Sequence, residues 1–244
     1  MLSILEYLDE FSSQIEIHEV PGKKLVVKKY KKETGILKWL LINASNLTIN
    51  IYPFAFQPFK RLEREVCFYK EGSKSFKKPV LYLVDFLNLS MVREYVDGLP
   101  FPKINNEDEF LKLGAHLNQL HGEGWALGDS KISNFILSRD SIYLIDSEQA
   151  IRTDNIQHYV WDLIVLGSTI VFFGLEQIMN GGKDMKKIFK ALAEGYASGG
   201  AIRLSEIIDA LEKPSLKTIT LILIPYPFNK AFLNSWKEAH IKYY

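Results

Sequence analysis

Cysteine is nearly absent: Cys67 is the only one in 244 residues. A single thiol excludes an intrachain disulfide and any cysteine-built zinc site, so a reducing, cytoplasmic setting is expected. A basic leader is missing too. The start, MLSILEYLDEF, is acidic and has no positive n-region of the secretory kind. Long apolar runs are also lacking. The longest, LIVLGSTIVFFGL from Leu163 to Leu175, is too short to span a bilayer and suits a buried core helix, so no membrane partner is expected. The five histidines show no metal-ligand spacing, and His121 reads as a helix end. Internal repeats and low-complexity tracts are absent.

What is present is an ordinary globular composition, long enough for one large domain or two small lobes. The net charge of +1 conceals an asymmetry. Between Val20 and Val80 there are 14 Lys/Arg and 4 Asp/Glu, whereas Leu81 to Asn180 holds 6 and 14. A basic part beside an acidic part suits an anionic ligand, held by cations on one side and through metal ions on carboxylates on the other. The competing reading is a lysine-rich solvated surface.

Residues 1–13 read as a short helix. IEIHEVPGKKLVVKKY alternates around Pro21-Gly22 and predicts a hairpin. Residues 36–56 give no clear pattern. Phe59, Leu62, Val66 and Tyr69 then mark one face of an amphipathic helix. VLYLVD and LSMVREYV read as strands joined at Phe86-Leu87-Asn88. Beyond a link near Val96–Pro102, a helix carries Phe110, Leu113, Leu117 and Leu120 on one face, with Asn106 and Glu109 as its capping pair. FIL and IYLI are strands around the Ser138–Ser141 turn. From Tyr159 onward the chain reads as mainly helical, with LKTITLILIPYPF open between a strand and an apolar helix.

The stretch LGDSKISNFILSRDSIYLIDSE carries the chemistry. Asp129 and Asp146 sit at the ends of neighbouring segments, with Asn134 and Lys131 beside them. Phosphoryl transfer needs such a set, because it relies on positioning and charge neutralisation more than on covalent steps. Asp146 and Asn134 offer the hard oxygens that Mg²⁺ prefers. Asp129 is placed to accept a hydroxyl proton, and Lys131 to neutralise the transferred group.

Asp129-x-Lys131-x-x-Asn134, with LID ending at Asp146, resembles the catalytic loop and metal-binding aspartate of the protein-kinase-like fold. REYVDG, GDSKISN and FKALAEGY resemble pieces of compact atypical kinases of archaea: the small kinase of the KEOPS tRNA-modification complex, the RIO kinases, and the archaeal kinase of tRNA ribose 2′-hydroxyls. The likeness covers roughly residues 15 to 200. It implies an α+β, bilobal fold with a reduced β-rich lobe at 1–97 and a compact helical lobe at 98–244. It implies ATP and Mg²⁺ as cofactors, with Asp129 and Lys131 catalytic and Asn134 and Asp146 on the metal. Lys28 takes the place of the phosphate-pairing lysine, in competition with Lys29 on the opposite strand face. Glu65 is its ion-pair partner, in competition with Glu63. Glu94 and Val96 fall at the adenine-binding hinge, and Asp162 orients the catalytic loop.

Four departures stand out. Leu127-Gly128 replaces the catalytic-loop His-Arg, and Ser147-Glu148 replaces Phe-Gly, making Glu148 a further candidate contact to metal or substrate. No Gly-rich loop precedes Lys28. Only 15 residues separate Asp146 from Asp162, too few for a full activation segment. A regulated peptide kinase of the eukaryotic kind is therefore not expected. The leading expectation is transfer of the ATP γ-phosphate to an RNA hydroxyl, a ribose 2′-hydroxyl of tRNA. It draws on the resemblance, the basic region, and a terminal FLNSWKEAHIKYY that mixes cations with aromatics able to stack bases. The competing reading of that tail packs Phe232 and Trp236 into the core. An atypical serine/threonine protein kinase is the alternative acceptor class, and a pseudokinase or nucleotide-binding scaffold the alternative outside enzymes.

Overall fold

The computed structural model describes residues 14–31, 51–179 and 184–243. The helix expected at 1–13 and most of the unassigned 36–56 stretch lie outside them. The chain opens with β1 (Ile15–Val20) and β2 (Lys23–Lys29), an antiparallel hairpin in which Val20 pairs Lys23 across Pro21-Gly22. Gly22 takes φ +79°, a left-handed conformation that costs a residue with a Cβ free energy. After α1 (Pro58–Glu71) come β3 (Leu81–Asp85) and β4 (Ser90–Glu94), giving a four-stranded antiparallel sheet of order β1-β2-β4-β3.

Strand alternation decides which lysine faces inward. Val26 and Lys28 are buried on one face of β2, and Tyr30 continues the same side. Lys29 points the other way, to Glu16 of β1 at 2.8 Å. A small apolar cluster of Tyr30, Leu62, Val66 and Met91 joins α1 to this sheet. The expected stripe of α1 is shifted. Phe59 is exposed and leans on Phe86, while Phe68, rather than the half-buried Tyr69, enters the main core edge-on to Trp125 at 5.1 Å. The reason is that α1 has two burying sides, one on the sheet through Leu62 and Val66 and one on the helical part through Phe68.

The helical part begins after β5 (Leu99–Pro100) with α2 (Glu107–Gly122). Asn106 caps it by accepting from the Asp108 N–H at 3.0 Å. Glu109 does not complete a reciprocal capping box; its carboxylate takes Lys112 at 2.8 Å. β6 (Trp125–Ala126), β7 (Phe135–Ser138), β8 (Ser141–Leu144) and β9 (Ile151–Arg152) form two small sheets, β5-β7-β8 and β6-β9. Five helices follow: α3 (Ile156–Met179), α4 (Met185–Gly199), α5 (Leu204–Leu211), α6 (Pro214–Leu223) and α7 (Phe228–Tyr243). LKTITLILIPYPF is thus helical up to Leu223.

This half corrects one expectation and decides between two others. The apolar run at 163–175 belongs to a longer helix, and Ile156–Leu175 is long and apolar enough to cross a membrane by length and composition, although 61% of its most apolar window is buried inside the protein. Leu163, Ile164, Leu166 and Ile170 are core residues. The terminal aromatics are core residues too: Phe232 meets Phe189 and Trp236 meets Tyr196, each at 5.4 Å. Lys237 and Lys242 pair with Glu212 and Glu194. Phe232 and Trp236 are therefore unavailable for stacking on bases.

Candidate active site

The loop that carries Asp129 is built on Asp162 of α3. Its buried carboxylate accepts the Leu127 N–H at 2.6 Å and the Gly128 N–H at 2.7 Å, and Ser130 Oγ donates to its backbone carbonyl at 2.6 Å. His121 Nε2 lies 3.3 Å from the same carboxylate, its Nδ1 meets the Tyr196 hydroxyl at 2.7 Å, and its ring stacks on Tyr159 at 4.5 Å. Trp161 Nε1 donates to the Gly128 carbonyl at 2.7 Å. Gly128 takes φ +70°, and a Cβ there would stand 2.3 Å from the Tyr52 ring, so the turn that presents Asp129 admits only glycine.

Asp129 follows this anchored turn, with Lys131 Nζ donating to its Oδ2. Burial works against the charge of Lys131, but Asp129, with Asp146 and Glu148, outweighs it and raises the lysine above its ordinary value. Asn134 closes a short 3₁₀ turn, Ile132–Asn134, and its Nδ2 donates to the Asp129 carbonyl at 2.8 Å. The Ile145 N–H donates to the Asn134 carbonyl at 2.9 Å, which brings Asp146 beside Asn134.

Lys28 joins the two halves. Its Nζ lies 2.7 Å from Glu65 Oε2, 2.9 Å from Asp146 Oδ1 and 3.1 Å from Glu148 Oε2. Burial of Lys28 disfavours its charge, but Asp146, Glu148 and Glu65 prevail and hold it well above the ordinary lysine range. Glu65 moves upward because burial outweighs the attraction of Lys28. Asp146 moves downward: burial is opposed and exceeded by Lys28 and Lys131. Tyr30 also donates its hydroxyl to Glu65 Oε2. Glu63, the competitor of Glu65, is exposed and pairs with Lys60. A lysine on a strand, a glutamate on the following helix and an aspartate after a later strand meet as in a protein kinase. The cleft is kinase-like.

Of the two residues expected at a hinge, Glu94 ends β4 with its N–H and carboxylate on Val80 at 2.8 and 3.0 Å, and Val96 is buried two residues on. The segment after Asp146 is short and pinned. Gln149 accepts from the Ala55 N–H at 2.8 Å and donates to the Ala55 carbonyl at 3.0 Å, and its own carbonyl accepts the Tyr52 hydroxyl at 2.7 Å. Sequence reasoning missed Tyr52, Arg61 and Gln149. The one available signal was spacing, since Arg61 stands one helical turn before Glu65.

Oxygen donors suited to a hard cation converge here. Carboxylate oxygens of Glu65, Asp146 and Glu148 lie within 4.8 Å of one another. Among the described residues, Glu65 Oε1 and Glu148 Oε2 are buried without a hydrogen-bond donor. Glu148 Oε2 has the Lys28 charge nearby but not in bonding geometry. Three carboxylates against Lys28 and Arg61 leave room for more positive charge, so the residues fit a divalent cation.

No family model matches the chain. It is similar to archaeal proteins described as probable bifunctional tRNA threonylcarbamoyladenosine biosynthesis proteins. The one from Methanobrevibacter smithii is 26% identical over 135 residues, 55% of this chain and 24% of that protein. The one from Methanosarcina mazei is 27% identical over 120 residues, 49% of this chain and 20% of that protein. The matched part is therefore a quarter or less of each relative's length. Among solved structures, the Rio2 kinase from Chaetomium thermophilum superposes with a TM-score of 0.41 and 18% identity over 92% of this chain and 68% of that one. WaaP in complex with acyl carrier protein gives 0.42 and 13%, over 94% and 84%.

Proposed function

We propose that the chain is an ATP-dependent phosphotransferase that moves the γ-phosphate to a hydroxyl, with an RNA hydroxyl as acceptor. The observation that carries the phosphotransferase reading is the buried Lys28 held between Glu65 and Asp146, within one cleft with Asp129 and Asn134.

In this reading Lys28 exchanges a carboxylate partner for the nucleotide phosphates, and Glu65 keeps its ammonium in place. Glu94 and Val96 border the adenine. Asp129 takes the proton of the attacking hydroxyl on its carboxylate, while Lys131 holds that carboxylate and faces the transferred group. Asn134 and Asp146 would hold Mg²⁺, with Glu148 near; the ion supplies neutralisation of phosphate charge. A scaffold without catalysis has no need of Asp129 and Asn134 beside a Lys28–Glu65 pair.

The RNA acceptor draws on the basic region at 20–80 and on relatives whose names concern tRNA. A ribose 2′-hydroxyl of tRNA is the specific form of this reading. The terminal helix does not support it, since Phe232 and Trp236 are internal. A protein serine is the second reading, and the pinned segment after Asp146, which offers no long peptide platform, is why it stands second.

The test is transfer from γ-labelled ATP into a cell extract, followed by RNase or protease. Label released by RNase supports the RNA reading, and label released only by protease overturns it. Transfer into RNA should fall steeply with added salt, because each phosphate contact releases counterions. Asp129→Ala should abolish transfer while ATP binding persists; equal activity in that variant would sink the phosphotransferase reading.

A further inference from the structure

Five residues close a ring through Lys28. Arg61 Nη1 donates to Glu148 Oε1 at 3.2 Å, and Glu148 Oε2 lies 3.1 Å from Lys28 Nζ. Lys28 donates to Glu65 Oε2 at 2.7 Å, and the Tyr30 hydroxyl donates to the same oxygen. Arg61 Nη2 then donates to the Tyr30 carbonyl at 2.8 Å, which completes the circuit. All five are buried, with Arg61 4% and Glu148 7% exposed. The periodicities make it possible. Lys28 and Tyr30 share a strand face, Arg61 and Glu65 a helix face, and Glu148 the side of its turn that Asp146 uses.

The proposed reaction accounts for Lys28 and Glu65, and for the Glu148 oxygen that faces Lys28, but gives no reason to bury Arg61 or to bond it to the other Glu148 oxygen. A buried ion pair recovers little net stability, because desolvation offsets the attraction. Its best-attested use is to define one arrangement among several. Here it links α1 to the segment that carries Asp146. That segment is itself pinned, because Gln149 is bonded twice to the Ala55 backbone and its carbonyl accepts the Tyr52 hydroxyl at 2.7 Å. Glu148 is therefore a fixed anchor, and Arg61 is the side of α1 that reaches it.

We infer that Arg61 and Glu148 are positioning residues: they lock α1 in the placement that keeps Glu65 on Lys28, a task for which the 15 residues between Asp146 and Asp162 leave no activation segment. The enzyme is thereby held ready without a phosphorylation step. The inference rests on the phosphotransferase reading of the cleft.

The experiment compares Arg61→Gln, Glu148→Gln, Glu65→Gln and the Glu65→Gln/Glu148→Gln pair in the full chain. It follows ATP turnover and the hydrogen exchange of residues 58–71. Arg61→Gln and Glu148→Gln should each lower kcat by about 10- to 100-fold, the usual cost of removing an outer supporting contact, with a far smaller change in the KM for ATP. Glu148→Gln should cost nothing further once Glu65 is already Gln, because the α1 placement it secures serves the Glu65–Lys28 pair. Exchange in 58–71 should quicken in Glu148→Gln and stay unchanged in Asp129→Ala. Losses that multiply in the double variant, or wild-type turnover in Glu148→Gln, would overturn the inference. Glu148→Asp keeps the buried charge while shortening its reach, and it should show the same pattern if a Gln variant fails to fold. Should the wild type transfer no phosphate, the phosphotransferase reading falls alone. The exchange measurement then decides the lock: unaltered α1 protection in Glu148→Gln overturns it.

Discussion

Asp162→Asn tests the anchoring of the loop that carries Asp129 most directly. The carboxylate uses one oxygen for the Leu127 N–H and the other for the Gly128 N–H, at 2.6 and 2.7 Å, with no solvent exposure. An amide has only one acceptor oxygen, so one backbone N–H must face an NH₂ group. Leaving a buried donor unsatisfied costs about 1–3 kcal/mol, and replacing a charged acceptor by a neutral one at the other N–H costs about 1 kcal/mol more. The sum is about 2–4 kcal/mol, which in a chain of this size lowers Tm by about 5–15 °C. Turnover should fall as well, since Gly128 is followed directly by Asp129 and its left-handed turn is held by these bonds. Thermal unfolding followed by circular dichroism, with activity measured well below the transition, gives both numbers. A shift under about 2 °C would refute the claim that this carboxylate holds the loop.

Two further outcomes follow from the packing and surface charge. Gly195→Ala should destabilise by about 1–3 kcal/mol or more in chemical denaturation, as overpacking does, because its Cβ would stand 1.9 Å from the Leu111 carbonyl oxygen where α2 and α4 touch; an unchanged midpoint would mean the helices separate freely. Glu212 accepts hydrogen bonds from Lys217 and then Lys237, which together bring its pKa down to about 2. A carboxylate lowered in the folded state adds stability above its ordinary value of 4.5 and loses it as pH falls toward about 2. Carboxyl NMR titration should find that midpoint, and find it near the ordinary value in Lys217→Ala/Lys237→Ala. High salt should weaken the effect, because the pair is partly exposed.

Much of this architecture was legible from local pattern. The Pro21-Gly22 hairpin, the α1 and α2 helices and the FIL and IYLI strands appear where alternation and helical spacing put them, because each is decided by neighbours a few residues away. The choice of Lys28 over Lys29 and of Glu65 over Glu63 is also a matter of period, yet it needed the sheet and helix to say which face is inward. The misreadings share one cause. Helical spacing puts Phe59 in the buried stripe, and the 163–175 run by itself is too short to span a bilayer, because a short window does not reveal how an element packs or extends past its ends. The terminal FLNSWKEAHIKYY has a composition that fits either base stacking or core packing, and only its position against Phe189 and Tyr196 decides for the core.

The sequence by itself determined the chemistry on offer: an aspartate, lysine and asparagine in one loop, a second aspartate after a strand, and a lysine and a glutamate far upstream. It did so because residue type and short spacing are local properties. Tertiary structure alone decided that Lys28 meets Asp146 across 118 positions of chain, and that Arg61 meets Glu148 across 87. Those contacts depend on how the sheet, α1 and the helical half pack together, and buried charges tolerate only the arrangement in which each finds its partner.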